Sequence, residues 1–134
     1  MENKIRVGSA VVLENDKGEI LLIKRKNEPS KGTWALPGGG INFGEHFKET
    51  AKRELKEETE YDISVGDFIT ASEIINPEEN VHRVIIFHKA KLLSGTLNLS
   101  DDAEDAVWIK PEKINTVKNL GQLPIKILKE AGYI

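Results

Sequence analysis

Three glutamates, Glu54, Glu57 and Glu58, stand at helical spacing in the stretch Glu45 to Thr59, which has neither proline nor glycine and is dominated by helix formers. At about 100° per residue, with Glu54 as zero, Glu57 falls near -60° and Glu58 near +40°. Phe47, Ala51 and Leu55 fall between about 20° and 100° and define an apolar stripe, while Lys48, Glu49, Lys52 and Lys56 occupy the far side. The carboxylates therefore overlap the edge of the face that must pack on a core. Crowded there, they repel one another and lose hydration, and both effects cost free energy. A hard divalent cation, Mg2+ or Mn2+, relieves both, because it prefers oxygen ligands and keeps positions for water and substrate phosphate. Periodicity alone also permits a Lys/Glu-rich helix on a solvated surface. The lysines segregate to the far face, however, and a glycine-rich turn comes immediately before the helix.

That turn is Pro37-Gly38-Gly39-Gly40. Three successive glycines predict irregular backbone at a place where something must come close. A phosphate held at the glutamates would lie beside Gly38 and Gly39. Arg25, at the end of an apolar run, is placed either to contact phosphate or to remain solvated. Trp34 either lies near a base or belongs to the core, and Phe87 and Trp108 read as core. His82 and His88 share one face of a strand and read as ordinary surface residues. Asp101, Asp102 and Asp105 form an acidic loop, either solvated or lending one carboxylate to a metal.

The elements that must position these groups follow from pattern. Ile5 to Glu14 and Ile20 to Arg25 are rich in Val, Ile and Leu and flank a turn composition, so they predict an antiparallel hairpin. Lys26 to Thr33, with Pro29, reads as a loop. Tyr61 to Val65 and Phe68 to Ile75 read as two β-runs separated by Gly66-Asp67, and Pro77 to Asn80 as a polar connection. Val81 to Leu93 is a longer strand, and Thr96 to Leu99 and Ala106 to Ile109 are further short ones. Leu123 to Ala131 is a helix stopped by Gly132. No repeat, low-complexity tract or linker interrupts residues 1–134, so one α/β domain with a mixed sheet is the economical reading.

Composition narrows the function classes. The 134 residues suffice for a core without staples, and 39% hydrophobic residues is ordinary for a globular chain. A net charge of -3, with its densest cluster acidic, argues against a nucleic-acid binder or a basic membrane patch. The absence of cysteine removes disulfides and thiolate zinc sites. The N-terminus, Met1-Glu2-Asn3-Lys4, precedes no signal-like apolar stretch, and no segment approaches ~20 apolar residues, so no membrane span and a cytoplasmic location are expected.

At this point the residues resemble the Nudix box. Gly39 to Glu45, followed after seven residues by Arg53-Glu54-Leu55-Lys56-Glu57-Glu58, matches its fixed spacings over 23 positions. Leu36-Pro37-Gly38-Gly39, Leu21 to Arg25 and Glu104 to Trp108 are similar too. The departure is Glu60, where the pattern has glycine; a glutamate in the left-handed conformation there costs on the order of 1 kcal/mol. The resemblance implies an α/β/α sandwich with a mixed sheet, and hydrolysis of a nucleoside diphosphate linked to another group by water attack at phosphorus. It implies Glu54, Glu57 and Glu58 as metal ligands, with the Gly39 carbonyl as a further one. It also implies a Glu45–Arg53 ion pair bracing the loop. Glu54 is the first choice of general base and Glu104 the second. The short chain and the Trp34 to Gly39 region favour nucleoside triphosphates, cut to monophosphate and pyrophosphate. Pro77, 16 residues beyond Tyr61, points instead to ADP-ribose, with nucleotide sugars beside it. Glu60 leaves room for a non-catalytic nucleotide-sensing module. Oligomeric state is not readable from the residues; dimers are common among similar proteins, so a homodimer stays open.

Overall fold

The computed structural model describes residues 3–28 and 30–134; Met1, Glu2 and Pro29 of the expected loop lie outside the described residues. Strands β1 (Arg6–Glu14), β2 (Ile20–Arg25), β3 (Trp34–Ala35), β4 (Gly38–Gly40), β5 (Asp62–Asn76), β6 (Val81–Ser94) and β7 (Ala103–Ile109) form one mixed sheet. Helices α1 (Phe47–Thr59) and α2 (Gln122–Glu130) complete the fold. The main path runs β3-β2-β1-β6-β5, with β4 added to β1 and β7 to β2.

Alternation along β1 and β2 explains the layering. Val11, Leu13, Leu21 and Ile23 point to one side and pack with Ala51 and Leu55 of α1. Ala10, Val12, Ile20 and Leu22 point to the other and pack with Ile127 and Leu128 of α2. Strands covered on both faces need near-continuous apolar runs, which is why these two segments show almost no polar alternation. The result is the α/β/α sandwich expected from the sequence.

Several local expectations are corrected. The hairpin exists, but β1 and β2 pair only at its closed end, Glu14 with Ile20. Beyond that point β1 takes β4 antiparallel and β6 parallel, while β2 takes β3 and β7. The glycine run is not irregular: Gly38, Gly39 and Gly40 pair with Ala10, Ser9 and Gly8. Close approach is nevertheless the reason for glycine, since a Cβ at Gly38 would overlap Ser9 and Ala10, and one at Gly39 would overlap the Glu54 carboxylate. The helix begins at Phe47, and Glu45 lies in the preceding turn. The runs flanking Gly66-Asp67 form one bulged strand, β5. Thr96 to Leu99 is not a strand but part of a loop laid on the C-terminal end of α1, with Asn98 N–H donating to Thr59 and Ser100 N–H to Glu58. His88 is buried at 1% exposure, stacked on Phe47 and edge-on to Phe68, not a surface residue; burial lowers its pKa.

Candidate active site

Hydrogen bonds tie helix α1 to the turn that precedes it. Glu45, 14% exposed in its side chain, accepts from Arg53 Nε at 2.7 Å and Nη2 at 3.0 Å, and from Thr50 Oγ1 at 2.7 Å. The Arg53 guanidinium, then Thr50, hold its pKa down at about 2. Arg53 also donates to the Gly40 carbonyl at 2.9 Å, so one guanidinium ties the turn, β4 and α1 together. The Glu45–Arg53 brace implied by the resemblance is thus present, and Asn42 N–H adds a bond to Glu45.

The same guanidinium reaches the acidic arc. Arg53 Nη1 donates to Glu54 at 2.9 Å and lies within 3.3 Å of both Glu57 oxygens. Glu54 has an 18% exposed side chain and presses against Gly39, whereas Glu57 is 58% exposed at the rim. Glu58 lies deepest. Its Oε1 is buried without a hydrogen-bond partner among the described residues. Burial first, then repulsion from Glu54, raise its pKa to about 7, against the pull of the Gly38 N–H and Arg25. Burial likewise raises Glu54. Among the described residues no three acidic or histidine side chains already converge as a metal cluster, and Glu54 and Glu57 both bond Arg53. The donor set nevertheless suits a hard cation: a desolvated carboxylate oxygen with no donor, a second raised carboxylate next to it, and glycine backbone where a side chain would fill the space.

Two cavities adjoin this edge. A smaller one, of about 260 Å3, brings together Arg25, Pro37, Gly38, Glu58 and Asp102. A larger one, of about 500 Å3, opens on the α2 side of β4, with Trp34, Leu36, Ile85, Phe87 and Leu123 among its walls. Arg25, Gly38 and Leu36 line both. Trp34 and Phe87 therefore do two things: they pack on the α2-side core and they face the larger cavity. Trp108 stays with the α1-side core and donates to the Tyr61 hydroxyl at 3.2 Å. Glu104 is 51% exposed, at 3.7 Å from Lys24, and lines neither cavity; Asp102 is the acidic-loop residue that faces Glu58.

Sequence reasoning missed Arg6 and Arg83, which line the larger cavity. Their neighbourhood depends on the parallel β1–β6 register, for which the sequence carries no local signal. Glu60 adopts φ 64°, the left-handed turn expected of the position, and its N–H still caps Lys56. Asn98 donates to the Glu60 carboxylate, so the substitution is accommodated in place.

The NUDIX domain profile matches residues 4–130 of the chain. An ADP-ribose pyrophosphatase of Methanocaldococcus jannaschii is 34% identical over 119 residues, covering 89% of this chain and 68% of that protein. A Bacillus subtilis protein provisionally assigned as an 8-oxo-dGTP diphosphatase is 31% identical over 141 residues, covering 95% of this chain and 89% of its own. Among solved structures, a MutT Nudix hydrolase from Burkholderia pseudomallei superposes with TM-score 0.85 at 27% identity, covering 95% of this chain and 98% of that one. The chain belongs to the Nudix family. It is a hydrolase of the pyrophosphohydrolase type, acting on nucleoside diphosphate derivatives, and enzymes of this family generally need a divalent metal ion. No helix among the described residues is long and apolar enough to cross a membrane.

Proposed function

We propose that this hydrolase cleaves a nucleoside triphosphate to the monophosphate and pyrophosphate, with Mg2+ or Mn2+ held by Glu54, Glu57 and Glu58 and the Gly39 carbonyl. The observation that carries the reading is the buried oxygen of Glu58, which has no hydrogen-bond partner among the described residues and lies beside Glu54 and the glycine strand. When bound, the cation neutralises phosphate charge and orients the substrate. Arg53 positions the glutamates, because it contacts both Glu54 and Glu57 as well as Gly40. In this reading Glu54 accepts the proton of the attacking water; its carboxyl lies against Gly39. Glu104, the second choice, lies 3.7 Å from Lys24 and lines neither cavity. Arg25 contacts phosphate at the junction of the two cavities, Gly38 and Gly39 let the chain of phosphates pass close to the backbone, and Trp34 flanks the nucleobase.

ADP-ribose is the second reading, favoured by the 34% identity to an ADP-ribose pyrophosphatase. Product analysis separates the two. With Mg2+, nucleoside triphosphates should release pyrophosphate and monophosphate; ADP-ribose turned over at a much higher kcat/KM, to AMP and ribose 5-phosphate, would replace the first reading with the second. Failure of both, with other phosphoanhydrides cut instead, would reject both substrates.

A further inference from the structure

Three arginines, Arg6, Arg25 and Arg83, are among the walls of the larger cavity. Arg6 and Arg83 are direct neighbours in the β1–β6 register, and both line it together with Arg25. Among the described residues no carboxylate lies in ion-pair contact with Arg6 or Arg83, although the chain as a whole has more acidic than basic residues. Unlike Arg6, Arg83 is half-buried. Burial, and then repulsion from Arg25 and Arg6, destabilise its charge. Arg6 and Arg83, gathered on one wall with no carboxylate in ion-pair contact among the described residues, repel each other, a cost that a bound anion offsets. Ile85 and Gly8, two residues further along the same strands, continue that wall toward apolar Phe87 and Leu123. The wall therefore joins an apolar surface for a flat group to a planar-donor surface for an anion, and Arg is the side chain best matched to phosphate oxygens.

Resting on the reading above that this cavity takes the substrate, we propose that Arg6 and Arg83 form an anion subsite that selects substrates with a phosphate beyond the two joined by the cleaved anhydride. That phosphate belongs either to a longer phosphate chain, as in a triphosphate, or to the nucleoside itself.

The test compares matched substrate pairs in wild type and in the Arg6→Gln/Arg83→Gln double variant: a nucleoside triphosphate with its diphosphate, and 2′-phospho-ADP-ribose with ADP-ribose. The expected result is that the kcat/KM ratio, extra phosphate over none, falls about tenfold or more in one pair, and that pair locates the phosphate. Arg83→Lys, which keeps the charge without the planar fork, should recover part of the ratio. Equal losses on all four substrates, with both ratios unchanged, would overturn the proposal. Should wild type hydrolyse none of them, the substrate reading fails separately. The subsite is then decided by titrating inorganic tripolyphosphate into metal-free protein: weaker binding in the double variant supports it, and identical affinity overturns it. Melting curves on each variant confirm that the comparison is between folded proteins.

Discussion

Among the described residues no donor reaches one buried carboxylate oxygen of Glu58, which makes its charge costly at neutral pH. Glu58→Gln should lower turnover by a factor on the order of 10^2 to 10^3 with the fold retained, and Glu57→Gln should also lower it by orders of magnitude. Steady-state rates at saturating Mg2+ check this, and wild-type rates in both variants would contradict the metal assignment. The metal-free protein should show the reverse balance. Glu58 titrates near 7 in the fold against 4.5 for a free carboxyl. Below the lower value it is neutral in both states and costs nothing. As pH rises from there the unfolded chain ionises first, so stability is lost until about pH 7 and then levels off. Between pH 5 and 8 that loss is roughly 2 to 3 kcal/mol. Urea unfolding in chelator should show it in wild type and much less of it in Glu58→Gln; equal pH slopes would contradict it. The glutamate spacing was readable in the sequence because a helix repeats at short range. The depth of Glu58 was not, since it depends on how the loop at Ser100 and the strand at Gly38 close over the end of α1.

At the scale of elements, the end of α1 shows how a departure from a family pattern is absorbed. Glu60 holds a left-handed turn that glycine would hold without steric cost, and Asn98 compensates by bonding to its carboxylate. Glu60→Gly should therefore stabilise the protein, but by less than the roughly 1 kcal/mol that glycine gains at such a turn, because the Asn98 contact goes with it. Thermal unfolding at fixed pH checks the sign; a lower melting temperature would mean that the Asn98 contact outweighs the strain. The left-handed turn itself was legible, as the pattern reserves that place for glycine. The strand character of Gly38 to Gly40 was not, because β-propensity is weak for glycine and the pairing partner, Ser9 with its neighbours, is distant in sequence. Thr96 to Leu99 differs in the other direction: its alternation suits a strand, yet its Asn98 N–H bonds the Thr59 carbonyl at the end of α1.

At the scale of the whole molecule, the sheet separates two tasks. The α1 side carries the acidic arc, the α2 side carries the larger cavity, and the glycine strand runs between them. Under the proposed function a substrate is divided, with phosphates at the glycine edge and its flat group toward Trp34 and Phe87, which line the larger cavity. Trp34→Ala should raise KM for nucleotides about tenfold while lowering kcat less, as expected for a residue that binds without taking part in the chemistry. A loss confined to kcat would place Trp34 elsewhere in the cycle. The double-sided packing was legible in the unbroken apolar runs of β1 and β2. The cavity was not, because it arises where those strands part after Glu14 and Ile20, a divergence fixed by long-range pairing with β6 and β7.

The most direct measurement is a titration of Mn2+ into the chelator-treated protein, followed by the loss of the free-ion electron paramagnetic resonance signal, for wild type and for Glu58→Gln. The expected result is stoichiometric capture of Mn2+ by wild type and at least tenfold weaker capture by the variant, consistent with removal of a charged oxygen ligand. Equal Mn2+ affinity in the two proteins would contradict a cation site built on Glu58.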